Sequence, residues 1–167
     1  MNAIDQLCPN CGLCCDSTLF ADVELLAKDR PQRLAALGLD IQQKTKTKLA
    51  FAQPCACWEG KLCKIYGERP QRCRLFDCGL LKRVAAGELA AGAALKKIQE
   101  ARTRANQVRE LLRRSGQREE TLALTHRYAD AMSAPVNLAT DGEADRRGEL
   151  MLAVHELMQR LERDFLG

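Results

Sequence analysis

Histidines and large aromatic side chains are scarce in this chain, which has two His, four Phe, two Tyr and one Trp among 167 residues. The usual aromatic core fillers are therefore few. His126 and His155 read as ordinary, partly exposed helix residues, not as site residues. The opening Met1-Asn2-Ala3-Ile4-Asp5-Gln6-Leu7 lacks the basic start and the apolar stretch of roughly 7 to 15 residues that mark a signal peptide. Export is not expected, and a cytoplasmic setting is. The richest apolar window, Val84 to Leu95, is mostly Ala and Gly and contains Glu88. It falls far short of the roughly 20 apolar residues that cross a bilayer, so no membrane partner is expected. The chain has no P-loop, dinucleotide fingerprint, HExxH pair or nucleophile elbow. No catalytic motif names an enzyme.

A hydrophobic fraction of 46% and a charged fraction of 29% suit one folded unit better than a disordered chain. The outlier is cysteine: nine residues, all between Cys8 and Cys78. In a reducing compartment they read as metal ligands, because a disulfide framework would leave an odd thiol over. Lone core cysteines, the bland alternative, do not cluster in this way. Charge is also uneven, with basic residues gathered in 61–118 and acidic ones prevailing in 119–167.

Patterning divides the chain into a cysteine-cluster module over 1–80 and a helical extension over 81–167, packed together as one structural unit. In the first part Ser17-Thr18-Leu19-Phe20 is β-tolerant, and Asp29-Arg30-Pro31 reads as a cap that opens a short helix ending at Gly38. Lys44 to Phe51 and Lys61 to Tyr66 are candidate strands, with a hairpin framing Gly60. Pro70 opens a helix carrying Cys73 and Phe76, which Gly79 is placed to end. In the second part Leu95, Ile98, Ala101, Ala105, Val108 and Leu112 form one apolar stripe. Leu122, Thr125, Ala129 and Met132 give a weaker stripe, and Leu150, Val154, Leu157, Leu161 and Phe165 a strong one, with a loop over Ser133 to Gly142 between them. The expected fold is mainly α, with a small irregular, cysteine-rich metal-binding module of few short strands in the N-terminal half.

Cys8, Cys11 and Cys14 have CxxCxxC spacing, and Cys15 follows at once. Pro9 stiffens the first turn and Gly12 permits a positive φ there. Two thiolates two residues apart chelate one soft cation, whereas adjacent Cys14 and Cys15 tend to diverge. The four therefore feed two neighbouring metals, or one metal centre and a spare thiol. The second group is Cys55, Cys57, Cys63, Cys73 and Cys78. Cys73 and Cys78 converge only if their helix breaks at Asp77 to Gly79. Lys61, Lys64, Arg69, Arg72, Arg74, Lys82 and Arg83 surround these thiols in sequence, an arrangement expected to lower thiol pKa values. Trp58, Tyr66 and Phe76 are expected to pack around the metal. Arg69, Arg72 and Arg74 suit pairing with thiolates or backbone as well as they suit anion binding.

The CxxCGxCC run, followed by Cys63, Ile65, Tyr66, Arg69, Pro70, Cys73, Arg74, Phe76 and Cys78, resembles the CxxCxxCC or YkgJ-like cysteine-cluster family, whose members are read as chelating zinc or iron. The resemblance covers roughly the first half of the chain. It implies a small bacterial protein, and a similar domain occurs in flagellin lysine N-methylases, where iron–sulfur binding is proposed. The ligands it implies are Cys8, Cys11, Cys14, Cys15, Cys55, Cys63, Cys73 and Cys78. At Cys55-Ala56-Cys57 the family usually shows one cysteine; Cys55 is favoured, with Cys57 an extra thiol or alternate ligand. Eight thiolates suit two four-cysteine zinc sites, or an iron–sulfur cluster and a second site. The ferredoxin run itself is incomplete, since its fourth cysteine and proline are missing.

The leading functional expectation is a protein that chelates zinc or iron, its helical half packing on the module or meeting a protein partner. The second is an iron–sulfur redox or protein-modification accessory enzyme. The least favoured is a zinc-stabilised nucleic-acid binder, for which the chain has neither a groove-reading motif nor interleaved aromatics.

Overall fold

The computed structural model describes residues 3–60 and 62–167. Met1, Asn2 and Lys61, which entered the reading of the N-terminus, the second candidate strand and the basic surround, lie outside the described residues. The order of elements is α1 (Ala3–Cys11), β1 (Asp22–Glu24), α2 (Pro31–Ala36), β2 (Ile41–Thr45), β3 (Lys48–Ala52), α3 (Gln71–Leu75), α4 (Gly79–Ala85), α5 (Ala91–Arg114), α6 (Leu124–Ser133) and α7 (Glu143–Leu161). A 3-10 turn over Tyr66–Glu68 precedes α3, and a π turn over Glu162–Leu166 extends α7. The fold is mainly α with a small strand module, as the patterning led one to expect. Among the described residues no helix is long and apolar enough to cross a membrane.

α5 is the organising helix. Its apolar stripe is buried at Ala94, Ile98, Ala101, Ala105, Val108 and Leu112, and it packs on α1 and α7. Three of these positions are alanine with no exposed surface, which lets neighbouring backbones approach closely. α7 contributes Leu150, Ala153, Leu157 and Leu161, and Phe165 of the π turn closes the same core. Complete burial of each of these large side chains contributes about 1.5–3 kcal/mol.

The sheet is antiparallel with order β1-β3-β2. The hairpin joins β2 and β3 across Thr45 to Lys48, while around Gly60 the described residues form an isolated bridge, Trp58 with Cys63, and no hairpin strands. A second, smaller core of Val23, Leu34, Leu39, Phe51, Cys57 and Ile65 lies on this side.

Four local expectations need correction. Ser17 to Phe20 forms no strand; Ser17 takes φ 74°, and its Oγ accepts the Leu124 N–H at 3.1 Å, capping α6 from across the molecule. Asp29 does not cap α2; its carboxylate accepts the N–H of Leu26 and, at 2.8 Å, that of Gln71 at the start of α3. α3 stops before Phe76, and Gly79 begins α4 instead of ending a helix. A Cβ at Gly79 would lie 2.9 Å from the carbonyl oxygens of Asp164 and Gly167, so glycine is selected there by the close approach of the C-terminal turn. On α6 the buried residues are Leu124 and Arg127, while Leu122, Thr125 and Ala129 are exposed. Of the expected stripe Met132 does pack against the core, but a stripe with only two strong apolar residues does not fix which helix face turns inward.

Candidate metal centre

α1 carries Cys8 and Cys11, and the chain leaves it at Gly12, where φ is 72°. A side chain there would also meet the Trp58 ring at 2.5 Å. Both requirements, backbone and packing, therefore demand glycine. The N–H groups of Cys15 and Asp16 both donate to Gly12 O at 2.9 Å, closing a tight turn around Cys14.

The helical half grips this turn from both sides. Arg102 of α5 donates to Asn10 O at 3.0 Å and to Cys11 O at 3.3 Å. Arg109, two helical turns on, donates to Asp16 O at 3.1 Å and Thr18 Oγ1 at 2.9 Å, and pairs with the Asp16 carboxylate at 3.2 Å. Planar guanidinium forks suit such multiple acceptors. The spacing of these two arginines was the available sequence signal, but their acceptors, mostly backbone oxygens, lie some ninety residues away and leave no motif.

The second group of thiols reaches the same place by other supports. The N–H of Cys55 donates to Cys15 O at 2.8 Å, directly joining the two cysteine segments. Cys63 pairs with Trp58 in the isolated bridge. Cys73 lies in α3, whose first N–H is held by Asp29. Cys78 is the cap residue of α4, its thiol facing the N–H groups of Leu80 and Leu81. A cavity of about 820 Å³ is lined by Cys8, Cys11, Cys14, Cys15, Cys55, Cys63, Cys73 and Cys78 together with Trp58, Tyr66 and Phe76. All nine cysteines are thiols. Cys57 is 2% exposed within the smaller core, and its Sγ donates to Leu37 O at 3.4 Å.

At Cys11, Cys14, Cys15, Cys55, Cys57, Cys73 and Cys78 the thiol pKa is raised, the opposite of the lowering expected from the sequence. Burial, the larger cause, and neighbouring cysteines push Cys11 and Cys15 to about 12 and Cys55 and Cys73 to about 11. Cys14 is also pushed well above the ordinary thiol value for the same reasons, and burial also raises Cys78. Three of the basic side chains have other partners: Lys64 pairs with Glu59 at 2.6 Å, Arg72 with Glu24 at 3.6 Å, and Arg69 lies over the Tyr66 ring at 3.6 Å. A cation, not peripheral lysines and arginines, is what such crowded thiols need in order to ionise together.

The residues fit a soft metal in kind and place. Eight cysteines line one cavity, although among the described residues no group of three or more His, Cys, Asp or Glu already stands in the arrangement that would hold an ion. The cavity also receives Gln53, which is 3% exposed and whose Oε1 is buried with no hydrogen-bond partner. The aromatic rings contribute shielding in part. Phe76 packs edge-on against Phe20 with centroids 5.0 Å apart, whereas Tyr66 is 39% exposed.

Soft donors lining a shared cavity define the thiolate class of metal-binding protein. Residues 7–110 match the model of the CxxCxxCC family, described as "Putative zinc- or iron-chelating domain", and the chain belongs to that family. The match runs beyond the cysteines and through Arg109 of α5. No curated protein and no solved structure matched the chain.

Proposed function

We propose that this protein chelates zinc or iron through the thiolates of Cys8, Cys11, Cys14, Cys15, Cys55, Cys63, Cys73 and Cys78, with Cys57 a core residue. The observation that carries the reading is that those eight cysteines line one cavity while the ninth packs in the smaller core. Soft thiolates hold zinc in closed tetrahedral sites and iron in sulfide-bridged clusters. The chain's own contribution is to hold the sulfurs on turns fixed by Gly12, Asp29, Arg102 and Arg109 and to cover them with Trp58 and Phe76. The cysteine segment and the helices act together, because α5 supplies the grip on the CxxCxxCC turn. Metal binding also helps fold the N-terminal half.

Elemental analysis for zinc, iron and acid-labile sulfide on anaerobically purified protein tests this. Bound metal that chelators remove, and that iodoacetamide-modified protein no longer takes up, is the expected result. Protein that binds neither metal, as purified or when offered either under reducing conditions, overturns it.

A second reading, an iron–sulfur redox or protein-modification accessory, is favoured by one observation. The cavity falls within the 300–1,000 Å³ typical of small-molecule sites, and the Gln53 amide oxygen lacks a partner there. Visible absorption that bleaches on reduction supports this reading, and a colourless zinc protein rejects it.

A further inference from the structure

The thiols that line the cavity belong to two different cores. Cys11 and Cys78 pack against the large helical core, whereas Cys55, Cys63 and Cys73 pack against the small one beside the sheet. α1, carrying Cys8 and Cys11, packs on α4, which Cys78 caps. α3, carrying Cys73, packs on β1, and the Cys55 backbone is bonded to that of Cys15. The dividing line runs between two consecutive residues. Cys14 has Cys8, Cys11 and Cys78 as electrostatic neighbours besides Cys15, while Cys15 has Cys55, Cys63 and Cys73. Adjacent cysteines are poor partners for one ion and good ones for two.

Resting on the chelation reading above, we propose that the eight thiolates form two separate four-sulfur sites, each taking one tetrahedral soft cation. One consists of Cys8, Cys11, Cys14 and Cys78; the other consists of Cys15, Cys55, Cys63 and Cys73. The peptide joining Cys14 and Cys15 is the boundary between them, held in place by the Gly12 turn on one side and the Cys55 N–H on the other. Cys57 belongs to neither.

The test uses the full-length reduced chain loaded with zinc under argon, read by native mass spectrometry and by alkylation mapping of the unprotected thiols. The wild-type chain is expected to take two zinc ions, as is Cys57→Ser. Cys11→Ser and Cys78→Ser are each expected to retain one, with Cys15, Cys55, Cys63 and Cys73 still protected. Cys55→Ser and Cys73→Ser are expected to give the converse pattern. Loss of both ions from any single variant, or protection that mixes the two groups, overturns the partition while leaving chelation intact. If a variant fails to fold, the wild-type species carrying one zinc ion is mapped instead. Protection of one group as a block agrees with two sites, and protection scattered over both groups overturns them. A wild-type chain that binds no metal overturns the underlying reading instead.

Discussion

The two cores differ in what holds them together. Around α5 and α7 a continuous apolar core is closed by leucine, alanine and Phe165. Beside the sheet the core has six buried residues, one of them Cys57, ringed by partly buried thiols. The first region can reach stability from burial alone, whereas the second leaves several polarisable sulfurs crowded around a cavity. A small apolar core is a common circumstance for metal-assisted folding. The turn that follows α1 is mounted on the helical half in two ways, by burial of Leu7 and Leu13 in the larger core and by polar contacts from Arg102, Arg109 and Ser17, so the helical half serves as its frame.

The comparison breaks most sharply with metal removal. A strong chelator under reducing conditions is expected to expose residues 12–78 to protease while α5 and α7 keep their helical circular dichroism, since apparent binding energies in small zinc modules are on the order of 10 kcal/mol. Equal protection with and without metal would show that the sheet side stands without it. Leu157→Ala, in the middle of the helical core, is expected to cost about 2–5 kcal/mol in chemical denaturation. Metal stoichiometry should stay unchanged, and a loss of metal in the folded variant would mean that the two regions are not separable.

Next in size is Gly12→Ala, which places a methyl against Trp58 and strains a left-handed turn. The expected effect is about 1–3 kcal/mol, seen as weaker zinc retention against a competing chelator with little change in helicity. Arg109→Ala should behave similarly but more weakly, at about 1–2 kcal/mol; unchanged metal retention would remove its positioning role.

The smallest expected effect is one of pH on the helical side. Burial pushes the Asp164 carboxyl up, but Arg163 at 3.0 Å and Lys97 at 2.9 Å outweigh that and hold it below the usual carboxylate range. Because its folded pKa is depressed, its contribution is present at neutral pH and is lost as pH falls through the folded value. The melting-temperature gap between wild type and Lys97→Met is expected to narrow as pH drops below the usual carboxylate range. A gap independent of pH would mean that the pair does not act through the carboxylate.

Much of this was legible in the sequence for identifiable reasons. The α5 stripe repeats over five turns of helix, so its period overrode local ambiguity, and Gly12 was readable because a cysteine knuckle needs a positive φ. The α6 stripe was not, since Thr125 and Ala129 are as tolerable outside as inside. Gly79 was misread because glycine ends helices and also permits close backbone contact, and only the position of the C-terminal turn distinguishes the two. The direction of the thiol pKa shifts was inverted by counting nearby cations along the chain, whereas burial acts through surrounding atoms in space.

Composition and spacing by themselves determined that this is a thiol-rich, mainly helical chain of the CxxCxxCC family, because ligand type and helical period are local properties of sequence. Tertiary structure decided which cysteines share the cavity, that Cys57 is core, that Asp29 serves α3 and Ser17 serves α6, and that α5 grips the ligand turn. Those outcomes depend on residues far apart in the chain meeting across two cores, and no local pattern encodes the distance between them.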